Sequence, residues 1–253
     1  MTFNLRYAGD SEPNSWGRRR PVMRELLRRA RPHLLGTQEG LYGQLRDIAH
    51  DLGQRALRVD RHRTDGGQPR RVHGRLLRHR AARARGVRPL LAVRHPECDR
   101  LQYLGRGRGP DGHLGALPRP VDRQGVLRPQ HPSGPPQPER PCAAALITER
   151  LGGLDSALPR IVTGDFNVAA HGNPVYDAML NGGTLVDSWD TAERRGPLYG
   201  TFHGFGPLVP DGDRIDWILT SPGVRTHHAV IDTYSGDGQY PSDHLPVRTV
   251  LEL

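Results

Sequence analysis

The 253-residue chain contains no lysine, so all 36 basic residues are arginine. Cysteine is scarce too. Cys98 and Cys142 are too few to staple a domain and point to no metal cluster. Nowhere do 18 apolar residues run together, which excludes a membrane-spanning helix. The opening MTFNLRY lacks the charged-then-apolar layout of a secretory signal, and the expected location is the cytoplasm. It reads instead as a buried strand from the first residue, and a natural N-terminal stretch is expected to precede it. The length suits a single α/β domain spanning residues 1–253, with ample core.

Aromatic residues are missing from the middle of the chain. Residues 54–142 hold one of the 14 aromatics, Tyr103, yet 12 of the 23 prolines. They also carry 20 Arg against 7 acidic residues, a net +13, whereas the remainder has 16 Arg against 20 acids, a net −4. The overall +9 and pI near 10.4 are thus the property of one segment rather than of a basic protein. Stretches such as GRGRGPDGHLG and HPSGPPQPERP show no apolar period and cannot build a core. This segment is expected to be disordered or irregular.

The flanks read as ordinary α/β protein. TFNLRY is strand-like, and residues 21–31 space Val22, Met23, Leu26, Leu27 and Ala30 as a helix opened by Pro21. HLLGTQE is a buried strand, followed by a helical stripe of Leu41, Leu45, Ile48, Ala49 and Leu52 that stops at Gly53. Beyond the segment, AAALITERLGGL is helical, RIVTGDFN a strand, and NPVYDAML a short helix with Pro174 near its start. RIDWILTS, HHAVIDTY and LPVRTVLEL give three late strands.

Short polar motifs sit at the ends of these strands, where open α/β sheets gather their active sites. They are TFN with Asn4, TQE with Glu39, TGDFN with Asp165 and Asn167, RID with Asp216, and SDH with Asp243 and His244. Acids, amides and a histidine suit hydrolysis assisted by a hard cation, since Mg²⁺ takes oxygen ligands. Singly, each is weak: an acid after an apolar strand is more often a helix cap or a solvated turn. GTFHGFG at 200–206 reads equally as an active-site rim loop or a plain Gly-rich turn.

In their order and spacing these motifs resemble the endonuclease/exonuclease/phosphatase superfamily over residues 1–53 and 143–253. The resemblance implies a deoxyribonuclease-I-like, two-sheet (four-layer) α/β sandwich, incomplete in the middle. It implies a divalent-metal-dependent phosphoesterase, phosphatase or nuclease, using Mg²⁺ or alternatively Mn²⁺, and acting as a monomer on a phosphoester, nucleic acid included. By resemblance Glu39 is the principal metal ligand, with Asn4 and Asp243 at the same site. Asp165 orients or deprotonates water, Asn167 holds the phosphate or that water, and His244 with Asp216 contacts the phosphate.

One motif of the family pattern is missing, the NTH strand between QE and GDFN. Translated one base later through permissible codons, residues 125–135 (GVLRPQHPSGP) can read EFYVLNTHLDH. Residues 54–142 are accordingly read as a frameshifted segment, with the shift near Gln54–Ala56 and restoration close to Cys142. Without NTH the chain as written is expected to be nearly inactive. The alternatives are a non-catalytic relative, or a nucleic-acid-binding protein whose arginines contact phosphates.

Overall fold

The computed structural model describes residues 1–53, 74–77, 144, 147–149, 151–153 and 155–253. The disordered or irregular segment expected at 54–142 therefore lies outside the described residues, except for Gly74–Leu77, whose backbone forms a strand. Two compact units are present: Met1–Ala92 with Leu154–Leu253, and Val93–Gly153. In the second, residues 144, 147–149, 151 and 152 are helical, as AAALITERLGGL predicts. Everything below concerns the first.

That unit is mixed α/β with two sheets. The larger has the order β3-β2-β1-β9-β8-β6, built from β1 (Thr2–Asn4), β2 (Leu34–Gln38), β3 (Gly74–Leu77), β6 (Arg194–Arg195), β8 (Arg225–Ile231) and β9 (Val247–Glu252). The smaller has the order β4-β7-β5, from β4 (Ile161–Asp165), β5 (Val186–Asp187) and β7 (Asp216–Thr220). β1 and β2 run parallel, and β9 closes antiparallel on β1. The short β5 and β6 were not legible in the sequence, because two residues are too few for a period to show.

Strand alternation sorts the side chains into layers. Met1, Phe3, Leu5 and Leu35 point to one face of the large sheet. There they share a core with Met23, Leu26 and Leu27 of α1 (Trp16–Ala30) and Leu45 and Ile48 of α2 (Tyr42–Asp51). On the outer side of the small sheet, Trp217 stacks on Phe166 with ring centroids 4.2 Å apart. It also meets Tyr176 of α3 (Pro174–Leu180) edge-on at 4.8 Å. Between the sheets, Ile218 joins Ala229, Ile231, Leu245 and Val247.

Gly36 sets how closely the sheets approach. A Cβ at that position would stand 2.1 Å from Thr163 Oγ1 and 3.1 Å from Thr163 Cβ, so only glycine lets β2 lie against β4 there.

Helix α1 corrects one expectation. It begins at Trp16 rather than at Pro21, which sits inside the helix. Ser15 is the N-cap, its Oγ accepting from the Arg18 amide at 3.4 Å, so the capping side chain rather than the proline fixes the start. The other expected elements appear within three residues of their boundaries, β1 and β8 each ending three residues early; α3 starts at Pro174 behind an Asn173 cap, as NPVYDAML implies.

Candidate active site

Asn4 ends β1, Asp165 ends β4, and Asp216 opens β7 directly opposite Asp165 in the antiparallel register. The alternation that sends Phe3 to the helices turns Asn4 toward the small sheet. Its Nδ2 donates to Asp165 Oδ2 at 2.9 Å, bonding the two sheets through side chains. Asp165 Oδ1 accepts the Asn167 amide at 2.9 Å, with Asn167 itself exposed and in the left-handed region at φ 54°.

His244 lies between the two aspartates. Its Nδ1 is 3.0 Å from Asp216 Oδ2, and its Nε2 is 3.8 Å from Asp165 Oδ2. Burial lowers the imidazole pKa, but the charge and hydrogen bond of Asp216, then Asp165 and Asp243, outweigh it and push it up to about 9. The ring is therefore an imidazolium at neutral pH. Asp165 is itself raised, first by burial and then by the neighbouring Asp216, against the pull of His244, Asn4 and the Asn167 amide. Asp216 has no solvent exposure, its amide donates to Thr201 Oγ1 at 3.1 Å, and its Oδ1 has no hydrogen-bond partner.

Asp243 completes the cluster from the loop before β9. Its Oδ2 is ion-paired with the Arg6 guanidinium, and Arg6 donates its own amide to Asn4 Oδ1 at 2.9 Å. Ser242 Oγ donates to the Asn4 carbonyl at 2.6 Å, which ties this loop to the end of β1. The GTFHGFG segment, between β6 and β7, bonds to this loop. Phe202 bridges to His244, the amides of His203 and Gly204 donate to the Asp243 carbonyl at 3.0 and 3.1 Å, and the Phe202 and His244 ring centroids are 5.0 Å apart. It is thus a rim of this cluster, and Phe202 is 45% exposed at its edge.

Glu39 directly follows β2, one residue past the register partner of Asn4, with φ 58°. Among the described residues, the side chains close enough to hold a metal are Asp165, Asp216 and His244, whose ligand atoms lie within 4.8 Å of one another. Glu39 is outside that trio. The structure thus draws Asn4, Asp165, Asp216, Asp243 and His244 into one connected cluster, with Asn167 joined through its backbone. The sequence reading did not single out Arg6, Ser242 or Thr201. They stand beside TFN, inside SDH and inside GTFHGFG respectively, so adjacency was the available signal.

The chain belongs to the endonuclease/exonuclease/phosphatase family, whose model matches residues 1–244. This is a family of phosphoester hydrolases, generally dependent on a divalent metal. Among solved structures, a mannosyl-6-phosphatase from Bacteroides thetaiotaomicron is similar at 26% identity and TM-score 0.69, with 100% of this chain and 98% of that one covered. A family member from Bacteroides vulgatus reaches TM-score 0.71 at 21% identity, covering 100% and 97%. TDP2 from D. rerio, in complex with a single-strand DNA product, gives 0.58 at 14%, covering 100% and 97%, which is a likeness of fold. No curated protein matches. Among the described residues, no helix is long and apolar enough to cross a membrane.

Proposed function

We propose that this chain hydrolyses phosphoester bonds with Mg²⁺, or Mn²⁺ in its place. In this reading Asp165, Asn167, Asp216 and His244 do the chemistry, and Glu39, Asn4 and Asp243 hold the cation. The observation that carries it is the chain Asp216–His244–Asp165–Asn4, with contacts of 3.0, 3.8 and 2.9 Å, assembled at paired strand ends.

The donor set fits a hard cation. Asn4, Glu39 and Asp243 offer amide and carboxylate oxygens, and a cation at Asp243 would take the place of the Arg6 guanidinium that is paired with it. The tighter trio of Asp165, Asp216 and His244 suits proton handling, because Nδ1 of the imidazole is committed to Asp216 and Nε2 faces Asp165. A bound cation would polarise a phosphoryl oxygen and offset its developing charge.

Asp165, ionised, accepts a proton from the attacking water, oriented by the Asn4 amide and the Asn167 N–H. His244 presents an Nε2–H donor to the phosphate, while Asp216 fixes its tautomer and holds the positive charge. Asn167, exposed beside Asp165, offers its side-chain amide to the phosphate or the water. The similarity to a mannosyl-6-phosphatase supports a phosphorylated sugar as the first monoester to try, with nucleic acid as the corresponding diester. Losing one preorganised donor typically costs about 10²–10³ in rate, and the NTH strand would supply an Asn, a His and their scaffold together, so the chain as written is expected to be nearly inactive beside a version carrying that strand.

The test is to assay the full chain with Mg²⁺ or Mn²⁺ on a sugar 6-phosphate and a single-stranded oligonucleotide, beside Asp165→Asn. The variant is expected to lose about 10²–10⁴ in kcat, the range of general-base catalysis. Equal turnover by the two proteins refutes the assignment. Binding of the oligonucleotide without metal-dependent turnover of either substrate would support the non-catalytic alternatives.

A further inference from the structure

Arg19 is a charged side chain with 0% exposure, in the second turn of α1. Burying a guanidinium is costly unless its N–H groups are bonded. Here the fork donates five hydrogen bonds, all to backbone carbonyls. Nε bonds the Asn14 carbonyl at 2.9 Å. Nη1 bonds Leu5 at 2.8 Å and Pro241 at 3.0 Å. Nη2 bonds Arg6 at 3.3 Å and Tyr7 at 3.0 Å. Burial lowers its pKa to about 10, which still leaves it charged at neutral pH.

The carbonyls it takes are not arbitrary. Leu5, Arg6 and Tyr7 are the turn that follows Asn4, and Pro241 immediately precedes Ser242, Asp243 and His244. One planar group therefore holds two segments from opposite ends of the chain, the second of them 222 residues from Arg19 itself. The Leu5–Tyr7 turn needs holding, since Arg6 has φ 47°, a left-handed conformation that a residue with a Cβ adopts only at a cost. In that conformation the Arg6 amide reaches Asn4 and its guanidinium reaches Asp243. Gln44 Nε2 also bonds the Leu5 and Arg6 carbonyls, at 3.3 and 2.8 Å, but it has no bond to the Pro241 side.

We infer that Arg19 is a positioning residue, which fixes the turn after β1 to the loop before β9 so that Asn4 and Asp243–His244 face each other in working register. It touches no reacting atom and acts through the two backbones. A lysine could not replace it, because its Nζ stops one bond short of the Nη atoms and carries three donors where the fork makes five bonds. This rests on the phosphoesterase reading for its effect on rate, but the loop coupling itself does not.

The test uses the full chain and the variants Arg19→Lys, Gln44→Met and Leu26→Ala. Leu26 is buried on the same helix and makes none of these carbonyl bonds, and it serves as the control for stability. Backbone hydrogen exchange is followed without metal or substrate. Arg19→Lys is expected to raise exchange in residues 5–7 and 236–243 together, and Gln44→Met in 5–7 alone. With metal and substrate, Arg19→Lys is expected to lower kcat about 10–100-fold with KM within about twofold, the scale of an ångström's misplacement. Leu26→Ala should lose stability without that loss of kcat. If Arg19→Lys leaves the exchange of both segments unchanged, or Gln44→Met loosens both, the coupling is refuted. If Leu26→Ala loses as much kcat as Arg19→Lys, the role is general stability and the inference fails. Should Arg19→Lys not fold, the Gln44→Met exchange pattern still decides the coupling. Absence of metal-dependent turnover both in the parent chain and in a version carrying the NTH strand would sink the phosphoesterase reading but leave the exchange result standing.

Discussion

Gly36→Ala isolates the close approach of the two sheets. In a strand without steric conflict, alanine in place of glycine would gain about 0.5–1 kcal/mol. Here the new Cβ would stand 2.1 Å from Thr163 Oγ1 and 3.1 Å from its Cβ, and the β-branched threonine has few rotamers into which it can retreat. Overpacking of this kind costs about 1–3 kcal/mol, and the severity of the overlap places it in the upper part of that range. The net loss is then about 2 kcal/mol, or about 4–8 °C in Tm for a unit of this size. Function should follow stability, because Gly36 lies two residues before Gln38 and Thr163 two before Asp165. A wedge at Gly36 spreads the strand ends and lengthens the 2.9 Å Asn4–Asp165 bond. The assay is thermal and chemical unfolding of Gly36→Ala, Thr163→Ala and the double variant, with turnover measured in parallel. The double variant should regain most of the loss, giving a favourable coupling energy. A Gly36→Ala protein as stable as the parent, or additive losses in the double variant, would refute the close-approach argument.

Three further outcomes are expected. His244 has a folded pKa near 9 against about 6.5 unfolded, so its pairing with Asp216 stabilises the metal-free protein fully below pH 6.5 and loses that contribution as pH rises through 9; unfolding measured across pH 6–10 should show this slope in the parent and not in His244→Asn. Asp165, raised by burial, works in the same direction at lower pH, its ionisation costing stability as pH rises through its folded pKa, and Asp165→Asn should remove that acid-side slope. Glu39→Gln is expected to weaken Mg²⁺ binding in calorimetric titration by about 10–100-fold, the loss that even outer-shell changes cause, with unfolding nearly unchanged; unaltered affinity would mean the ligand lies elsewhere.

What could be read from the sequence was what is local. An apolar run ending in polar residues shows a strand and its polar end wherever it occurs, so TFN, TQE and GDFN marked the ends of β1, β2 and β4 before any pairing was known, whereas RID opens β7 and SDH lies in the loop before β9. The Asn173 cap and Pro174 gave α3 for the same reason. Where two local signals competed, at Ser15 and Pro21, the sequence reading chose the proline and the structure the cap. Residues 54–142 offered no periodicity from which to read elements, and the NTH strand of the family pattern is missing from their reading frame.

The tertiary structure decided which distant groups meet. Nothing in the spacing says that Asp216 takes the Nδ1 side of His244, that Arg6 meets Asp243, or that a buried Arg19 spends its donors on five carbonyls. Those contacts depend on the sheet order β3-β2-β1-β9 and on the register that sets Asp165 opposite Asp216. Gly36 shows the difference most simply. In the sequence it is a weak point in a strand, and only the packing of β4 against β2 makes it the one residue type that fits. A sequence lists the groups able to do chemistry. Their protonation and aim depend on burial and on neighbours brought together by folding, which long-range packing alone supplies.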